Sequence, residues 1–340
     1  MALRLIEMIL PEQGSRKLKD LLADQKPLGI WHQELPDDNV LVRVLLSTEE
    51  TESTLDILEK HFSTSEGFRV MLMPVEATIP RPEIPEEEKP PEQRGQQPEE
   101  LPEPKVERIS REELYQDIVD AARISRVYIL MTVLSSVVAA IGLLGNNVAI
   151  IIGAMVIAPL LGPNVAFSLS VTLGDINLAR SSLKTSIVGL VTSFGLSVAV
   201  GLIFNITPGV PEIASRTTVG VANIVLALAS GSAGALAFTT GISATLIGVM
   251  VAVALLPPLV TSGMLLGSGY FHEASGAMLL LFTNLICVNL AGTVTFLAQG
   301  IRPVTWWEAD RAKKATRIAI LFGASLLIIL TVIILLSQRR

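Results

Sequence analysis

Ile152-Gly153-Ala154-Met155-Val156, running on to Leu160-Leu161-Gly162-Pro163, returns later in the chain as Ile247-Gly248-Val249-Met250-Val251, running on to Leu255-Leu256-Pro257-Pro258. The spacing is constant through both stretches, and the same register sets Ser135 on Ser230 and Ala140 on Ala235. Each copy sits in a run of apolar residues long enough to cross hydrocarbon as a helix. The fold is therefore expected to be that of a polytopic helical membrane protein built on an internal repeat.

The whole composition agrees. Of 340 residues, 50% are hydrophobic and only 17% charged, and mean hydropathy is +0.55, whereas soluble domains carry nearer a quarter charged residues. A net charge of −6, from 26 basic and 32 acidic residues, lacks the basic face that nucleic acid requires as a partner. A single cysteine excludes an intrachain disulfide. With only three scattered histidines, no Cys/His metal site and no cofactor is expected.

Seven apolar runs are candidate spans: Val127–Leu144, Val148–Leu173, Leu183–Phe204, Val219–Phe238, Ile242–Leu266, Ala277–Ala298 and Ile318–Leu336. A signal peptide is not expected ahead of them, because the run Leu5–Leu10 is interrupted by Glu7 and stopped by Pro11. A cytosolic N-terminus puts Arg108, Arg111, Arg123, Arg126, Arg180, Lys184, Arg302, Arg311, Lys313, Lys314 and Arg317 inside, against Arg216, Arg339 and Arg340 outside. That asymmetry fits a multi-pass protein of the plasma (inner) membrane, with Trp306 and Trp307 at the cytosolic interface. Spans one to three (127–205) then repeat as spans four to six (219–299), with 318–336 as an extra helix. Three is odd, so the second copy enters the bilayer from the opposite side, an inverted repeat of the kind found in transporters.

Proline removes a helical donor and clashes with the preceding turn, freeing carbonyls where lipid cannot satisfy them. Pro159, Gly162, Pro163 and Asn164 in span two, and Pro257 and Pro258 in span five, are accordingly candidates for broken helices lining a substrate pathway, with Asn284 and Asn289 of span six. Half-helix N-termini at Pro163–Asn164 and Pro258 would suit an anion or a polar neutral solute, and the carbonyl ends of the first halves a cation. The alternative is a repaired kink, with the asparagines acting as interhelical glue. Asn146, Asn147, Asp175, Arg180, Glu212 and Arg216 sit at span ends as candidate gating or interface residues, Asp175 beside Arg180 and Glu212 beside Arg216. No carboxylate or lysine lies well inside a span, so a buried proton relay is not expected. Catalytic motifs are missing as well: Gly231-Ser232-Ala233-Gly234 is not a nucleophile elbow, and an enzyme is not expected. The small residues Ala229–Ala235 suit close helix packing first and a pore lining second.

Residues 1–79 read as a cytosolic domain in the order βαββαβ. Strands are expected over Leu3–Leu10, Gly29–Leu35, Asn39–Leu46 and Phe68–Val75, and helices over Ser15–Asp24 and from the capping box Ser47/Glu50. Pro36, Asp37 and Asp38 supply the turn between the second and third strands. The order is that of the α+β ferredoxin-like arrangement, which licenses no function by itself. Residues 80–105 alternate proline with glutamate and read as an extended linker. Residues 106–126, with a capping box at Ser110/Glu113 and an apolar stripe of Leu114, Ile118 and Ala122, read as an amphipathic elbow at the membrane surface.

Ser135-Ser136 through Ala139-Ala140-Ile141-Gly142-Leu143-Leu144, Asn146-Asn147, the run Ile151–Pro163, and Gly300-Ile301-Arg302-Pro303 with Trp306-Trp307-Glu308 resemble the uncharacterised hydrophobic membrane proteins grouped as domain of unknown function number 389. The resemblance covers about Val127 to Glu308, and the N-terminal region is similar to that of the longer prokaryotic members. It implies a polytopic membrane protein of bacteria or archaea and supplies no catalytic residues. The residues themselves lead to a transporter or channel for a small anion or polar solute, with the lipid bilayer and one unidentified solute or ion as partners and a homo-oligomer as an option. The alternative is a membrane-anchored sensor or scaffold acting through the N-terminal domain.

Overall fold

The structure, a computed structural model, describes residues 3–22, 25, 27–36, 39–63, 68–75, 78, 109–240, 244–303 and 306–337. The linker 80–105, the turn residues Asp37 and Asp38, Arg108, Arg339 and Arg340 lie outside the described residues, as do the side chains of Trp306, Trp307 and Arg311. The chain divides into two compact units, Met1–Glu113 and Leu114–Arg340.

In the first unit the elements run β1 (Leu3–Pro11), α1 (Glu12–Leu21), β2 (Gly29–Glu34), β3 (Asn39–Ser47), α2 (Thr48–Phe62) and β4 (Arg69–Val75). They form one four-stranded sheet of order β2-β3-β1-β4, each neighbouring pair antiparallel. Period-two alternation turns Ile6, Met8 and Leu10 of β1 and Val40, Val42, Val44 and Leu46 of β3 to one face, where Leu18 and Leu22 at α1 and Leu58 and Phe62 of α2 cover them. On the opposite face Glu7 and Arg43, directly across the β1–β3 ladder, pair at 2.6 Å. Ser47 caps α2, its hydroxyl accepting the Glu50 N–H at 3.3 Å. The helix expected from Ser15 begins earlier, at Glu12. Pro11 closes the strand, and a carboxylate is favourable in a first helical turn.

Arg4 is buried and grips both carboxylate oxygens of Glu113 at 2.8 Å, a bidentate pair. Arg111 donates to Asp56 at 2.9 Å and to Glu112. Burial alone would lower its pKa, but the two carboxylates outweigh that and hold the guanidinium above its ordinary value.

Helix α3 (Arg111–Ala121) crosses from the first unit to the second, and Leu114, Ile118 and Ala122 are buried along it as the stripe requires. There follow α4 (Arg126–Leu144), α5 (Val148–Ile157), α6 (Leu161–Leu173), α7 (Ile176–Phe204), the single turn α8 (Pro211–Ala214), α9 (Val221–Thr239), α10 (Ala244–Gly267), α11 (Phe271–Ala298) and α12 (Trp306–Ser337). Among the described residues α4, α7, α9, α11 and the stretch Ala312–Val332 of α12 are long and apolar enough to cross a membrane, and α5 and α6 meet the same length and composition only as a pair, bent by 53° at the break. Helix α10 carries two prolines and no charge. Helices α7, α11 and α12 begin well before the apolar runs at Leu183, Ala277 and Ile318. Hydropathy marks where a helix meets lipid, while backbone hydrogen bonding continues into polar turns such as Ile176–Ser182, opened by the Asp175 cap.

Helix α4 packs on α5 and α7, α9 on α10 and α11, α10 on α7 and α5, and α11 on α6. Several of these seams are backbone approaches. A methyl at Gly201 would lie 2.1 Å from Met264 O, one at Gly267 2.3 Å from Val198 O, and one at Gly231 2.7 Å from Val288 Cα. The small residues of α9 thus serve packing.

Candidate functional site

Both proline pairs lie in the buried part of the second unit, and the backbone treats them differently. Helix α5 stops at Ile157, and α6 begins at Leu161 with Pro163 as its third residue, where no backbone donor is needed. The break is therefore the work of Pro159, which lacks an N–H for the Met155 carbonyl and clashes with it. Helix α10 runs unbroken through Pro257 and Pro258, so the expected second break is corrected to a continuous helix. In the register that sets Ile152 on Ile247, Pro163 falls on Pro258 but Pro159 falls on Ala254, and alanine continues a helix.

At the break Asn164, 5% exposed, donates its amide to Leu160 O at 2.7 Å and accepts the amide of Asn289 at 3.2 Å. Asn289 also donates to Leu285 O at 2.8 Å, and the Ser168 hydroxyl reaches both Asn164 O and Asn289 O at 3.1 Å. A methyl on Gly292 would lie 2.8 Å from Ser168 Oγ, so this glycine makes room for the hydroxyl. The α6–α11 seam is thus a closed amide and hydroxyl cluster. Gly162 lets α3 approach, since a methyl there would lie 2.3 Å from Ala121 O.

Asn284 goes elsewhere. With Pro258, Asn223 and Arg216 it lines a cavity of about 180 Å³, completed by Ser215, Leu226, Ala227 and Leu280. Arg216 donates Nη1 to Glu212 Oε2 at 2.7 Å. Asn223 accepts the Gly220 N–H at 3.0 Å, closing the start of α9. The structure therefore splits the expected pathway residues into two groups: Asn164 and Asn289 at the break, and Pro258 and Asn284 at the cavity. Asn223 and Ser215 were not singled out as site residues by sequence reading. The signal available was that Asn223, like Asn284, is an amide within an apolar span.

At the span ends, Glu212 and Arg216 form an ion pair at 2.7 Å. Asn146, in the left-handed region at φ 48, accepts the Glu212 N–H at 3.1 Å and so ties the α4–α5 turn to α8. Asn147 caps α5 by accepting the Ile150 N–H at 3.1 Å. Asp175 uses one carboxylate oxygen to cap α7, accepting from Asn177 and Leu178, and the other to accept the Tyr115 hydroxyl at 2.7 Å. Arg180, beside it at the span end, is exposed. Burial, the hydrogen bond and the charge of Asp175 together push the Tyr115 phenol up to about 12.

A larger groove of about 820 Å³ is lined by apolar residues of α11 and α12 together with Arg302, Lys313, Lys314 and Arg317. No cluster of three or more metal-ligating side chains occurs among the described residues.

Long apolar helices packed through glycine and hydroxyl seams define a polytopic membrane-embedded protein. Residues 155–290 match the family described as Domain of unknown function (DUF389), and the Uncharacterized protein MJ0678 of Methanocaldococcus jannaschii is 39% identical over 294 residues, covering 86% of this chain and 87% of its own. The chain belongs to the DUF389 family. No solved structure matches it.

Proposed function

We propose that the chain is a transporter or channel for a small anion or polar solute in the plasma membrane, with spans one to three and four to six forming an inverted repeat. The observation that carries this reading is an exchange of contacts between the two halves. Ser168 of α6 meets Gly292 of α11, and Gly263 of α10 meets Ser197 of α7. In the repeat register Ser168 falls on Gly263 and Ser197 on Gly292, so each contact is the image of the other with its two chemistries swapped. Within the halves, the Ser136–Ser193 hydrogen bond between α4 and α7 is matched by the Gly231–Val288 approach between α9 and α11, as a repeat of either orientation requires. Exchange of this kind is what a two-fold axis between halves produces, and with three spans per half that axis lies in the membrane plane.

Two further features support the reading. The break at Pro159 and the cavity at Pro258 offer non-helical or polar surface inside an apolar bundle, where such surface is tolerated only against protein or water. Basic residues gather around one end of α11 and α12, as a cytosolic headgroup level requires, which supports a cytosolic N-terminus. The first unit has the strand order and antiparallel pairing of a ferredoxin-like domain, and in this reading it regulates the membrane unit. The proposal is transport without covalent chemistry.

The test is flux through the purified chain in proteoliposomes, measured with small anions and neutral polar solutes, alongside a chain lacking residues 1–105. Saturable uptake that survives the deletion supports transport by the membrane unit. Absence of flux for every solute, with a cellular role lost on the deletion, overturns it in favour of a sensor or scaffold.

A further inference from the structure

The two halves differ where their contacts would otherwise exchange. In the repeat register the cavity residues Arg216, Asn223 and Asn284 fall on Ala121, Tyr128 and Gly189, while Pro258 falls on Pro163. In the first half the corresponding space is filled. Tyr128 is buried with its hydroxyl donating to Thr185 O at 3.1 Å, and a methyl at Gly189 would lie 2.3 Å from that hydroxyl. In the second half no aromatic ring is among the described residues that line the corresponding space, and a cavity of about 180 Å³ stands open between polar and apolar side chains.

Two polar side chains of that cavity carry donors that their hydrogen bonds within the chain do not use. Asn223 must turn its carbonyl oxygen to the Gly220 N–H, since only an oxygen can accept that bond, and this leaves its NH2 group as a pure donor. Arg216 holds its contacts to Glu212 and Ser215 through Nη1 alone. Its remaining N–H groups, on Nε and Nη2, form the fork edge that matches a carboxylate. The Ser215 hydroxyl donates to Glu212 O. Leu226, Ala227, Leu280 and the ring of Pro258 supply an apolar wall.

We propose that this cavity recognises a small carboxylate, its oxygens on Arg216 and Asn223 and its hydrocarbon end on the wall, and that the chain carries the site once because Tyr128 occupies its image. A cavity of roughly 150 Å³ admits benzene, so the occupant is a carboxylate of about four carbons or fewer. The assignment rests on the inverted-repeat reading for its single copy and on the transport reading for its purpose.

The experiment uses the purified full chain in detergent, titrated separately with propionate, propionamide and propylammonium while thermal unfolding is followed. Propionate should raise the melting temperature progressively, as a ligand of the native state does, and the amide and the amine should not. Asn223→Asp keeps an oxygen for the Gly220 N–H, removes the NH2 donor and adds a repelling charge. It should fold, and it should weaken propionate binding by about tenfold or more, the equivalent of one lost charge-assisted hydrogen bond. Asn223→Tyr with Asn284→Gly copies the first half and should abolish the shift. A stronger response to propionamide or propylammonium, no response to any probe, or a propionate response unchanged in Asn223→Asp overturns the proposal. Propionate flux in proteoliposomes separates the two readings: binding without flux retains the site and removes its transport role, while flux untouched by Asn223→Asp retains transport and removes the site.

Discussion

In the half built from α4 to α7, Pro159 and Pro163 flank a 53° bend; in the half built from α9 to α11, Pro257 and Pro258 stand side by side in one unbroken helix. The halves share one proline, Pro163 in the first and Pro258 in the second, and that one does not decide the backbone. The deciding residue lies one turn earlier, where the first half has Pro159 and the second Ala254. A similar split runs through the side chains, with Tyr128 filling in one half the space that Asn223 and Asn284 leave open in the other. On the proposed repeat reading, single substitutions such as Pro159 against Ala254 and Tyr128 against Asn223 are enough to separate the two halves in backbone and polar groups.

The comparison breaks most visibly if Pro159→Ala leaves the bend in place. With Cys287 replaced by serine and spin labels at positions 148 and 173, restoring the helix should lengthen the distance by on the order of 4 Å, given the 1.5 Å rise per residue. Pro258→Ala should leave the course of α10 unchanged. Next in size come the exchanged glycines. Gly263→Ala drives a methyl to 2.6 Å from Ser197 Cβ and 2.9 Å from Phe194 O, and should cost about 3 kcal/mol in unfolding experiments. Gly292→Ala meets only the rotatable Ser168 hydroxyl and its Cβ, and should cost about 1 kcal/mol. Equal effects at the two sites would remove the asymmetry claimed for the seams.

The smallest effect concerns Tyr115, whose clasp on Asp175 has no counterpart in the second half, where Val210 and Tyr270 occupy the register positions. Its phenol is held up to about 12 in the folded chain, against about 10 when unfolded. The folded state thus binds this proton more tightly, and the stabilisation is complete below pH 10 and lost as pH rises toward 12. Tyr115→Phe should lower stability by about 1 kcal/mol at pH 8 and show a flatter decline than the parent through that alkaline window. Parallel declines in the two proteins would remove the clasp.

Much of this architecture is legible in the sequence because it follows from period and length. Burial alternates along most of β1 and β3, and β1, β2 and β3 begin at Leu3, Gly29 and Asn39, where the strand-like runs of the sequence begin. Span existence follows from uninterrupted apolar runs. Helix starts are less legible, because polar turns such as Ile176–Ser182 continue a helix beyond the apolar run. The Asn164–Asn289 bond joins residues far apart in the chain, and no local pattern announces it. Their divergence from Asn284 was partly foreseeable, since residues five apart do not share a helical face. The unequal outcome of the proline pairs was present in the register, in the pairing of Pro159 with Ala254, and it depended on counting from the shared proline rather than on finding two prolines in each copy.

The seam between α7 and α10 carries a consequence for movement. At Gly201 and Gly267 main chain rests on main chain, and a surface without rotamers has one way of fitting its partner. Such a joint turns as a piece. The seam between α6 and α11 is made instead of the Ser168 hydroxyl and the Asn164 and Asn289 amides, groups that can exchange acceptors without leaving their helices. If the membrane unit moves as the proposed transport requires, a bundle with one keyed joint and one joint of interchangeable bonds would rock about the first and slip at the second, one seam serving as axle and the other as clutch.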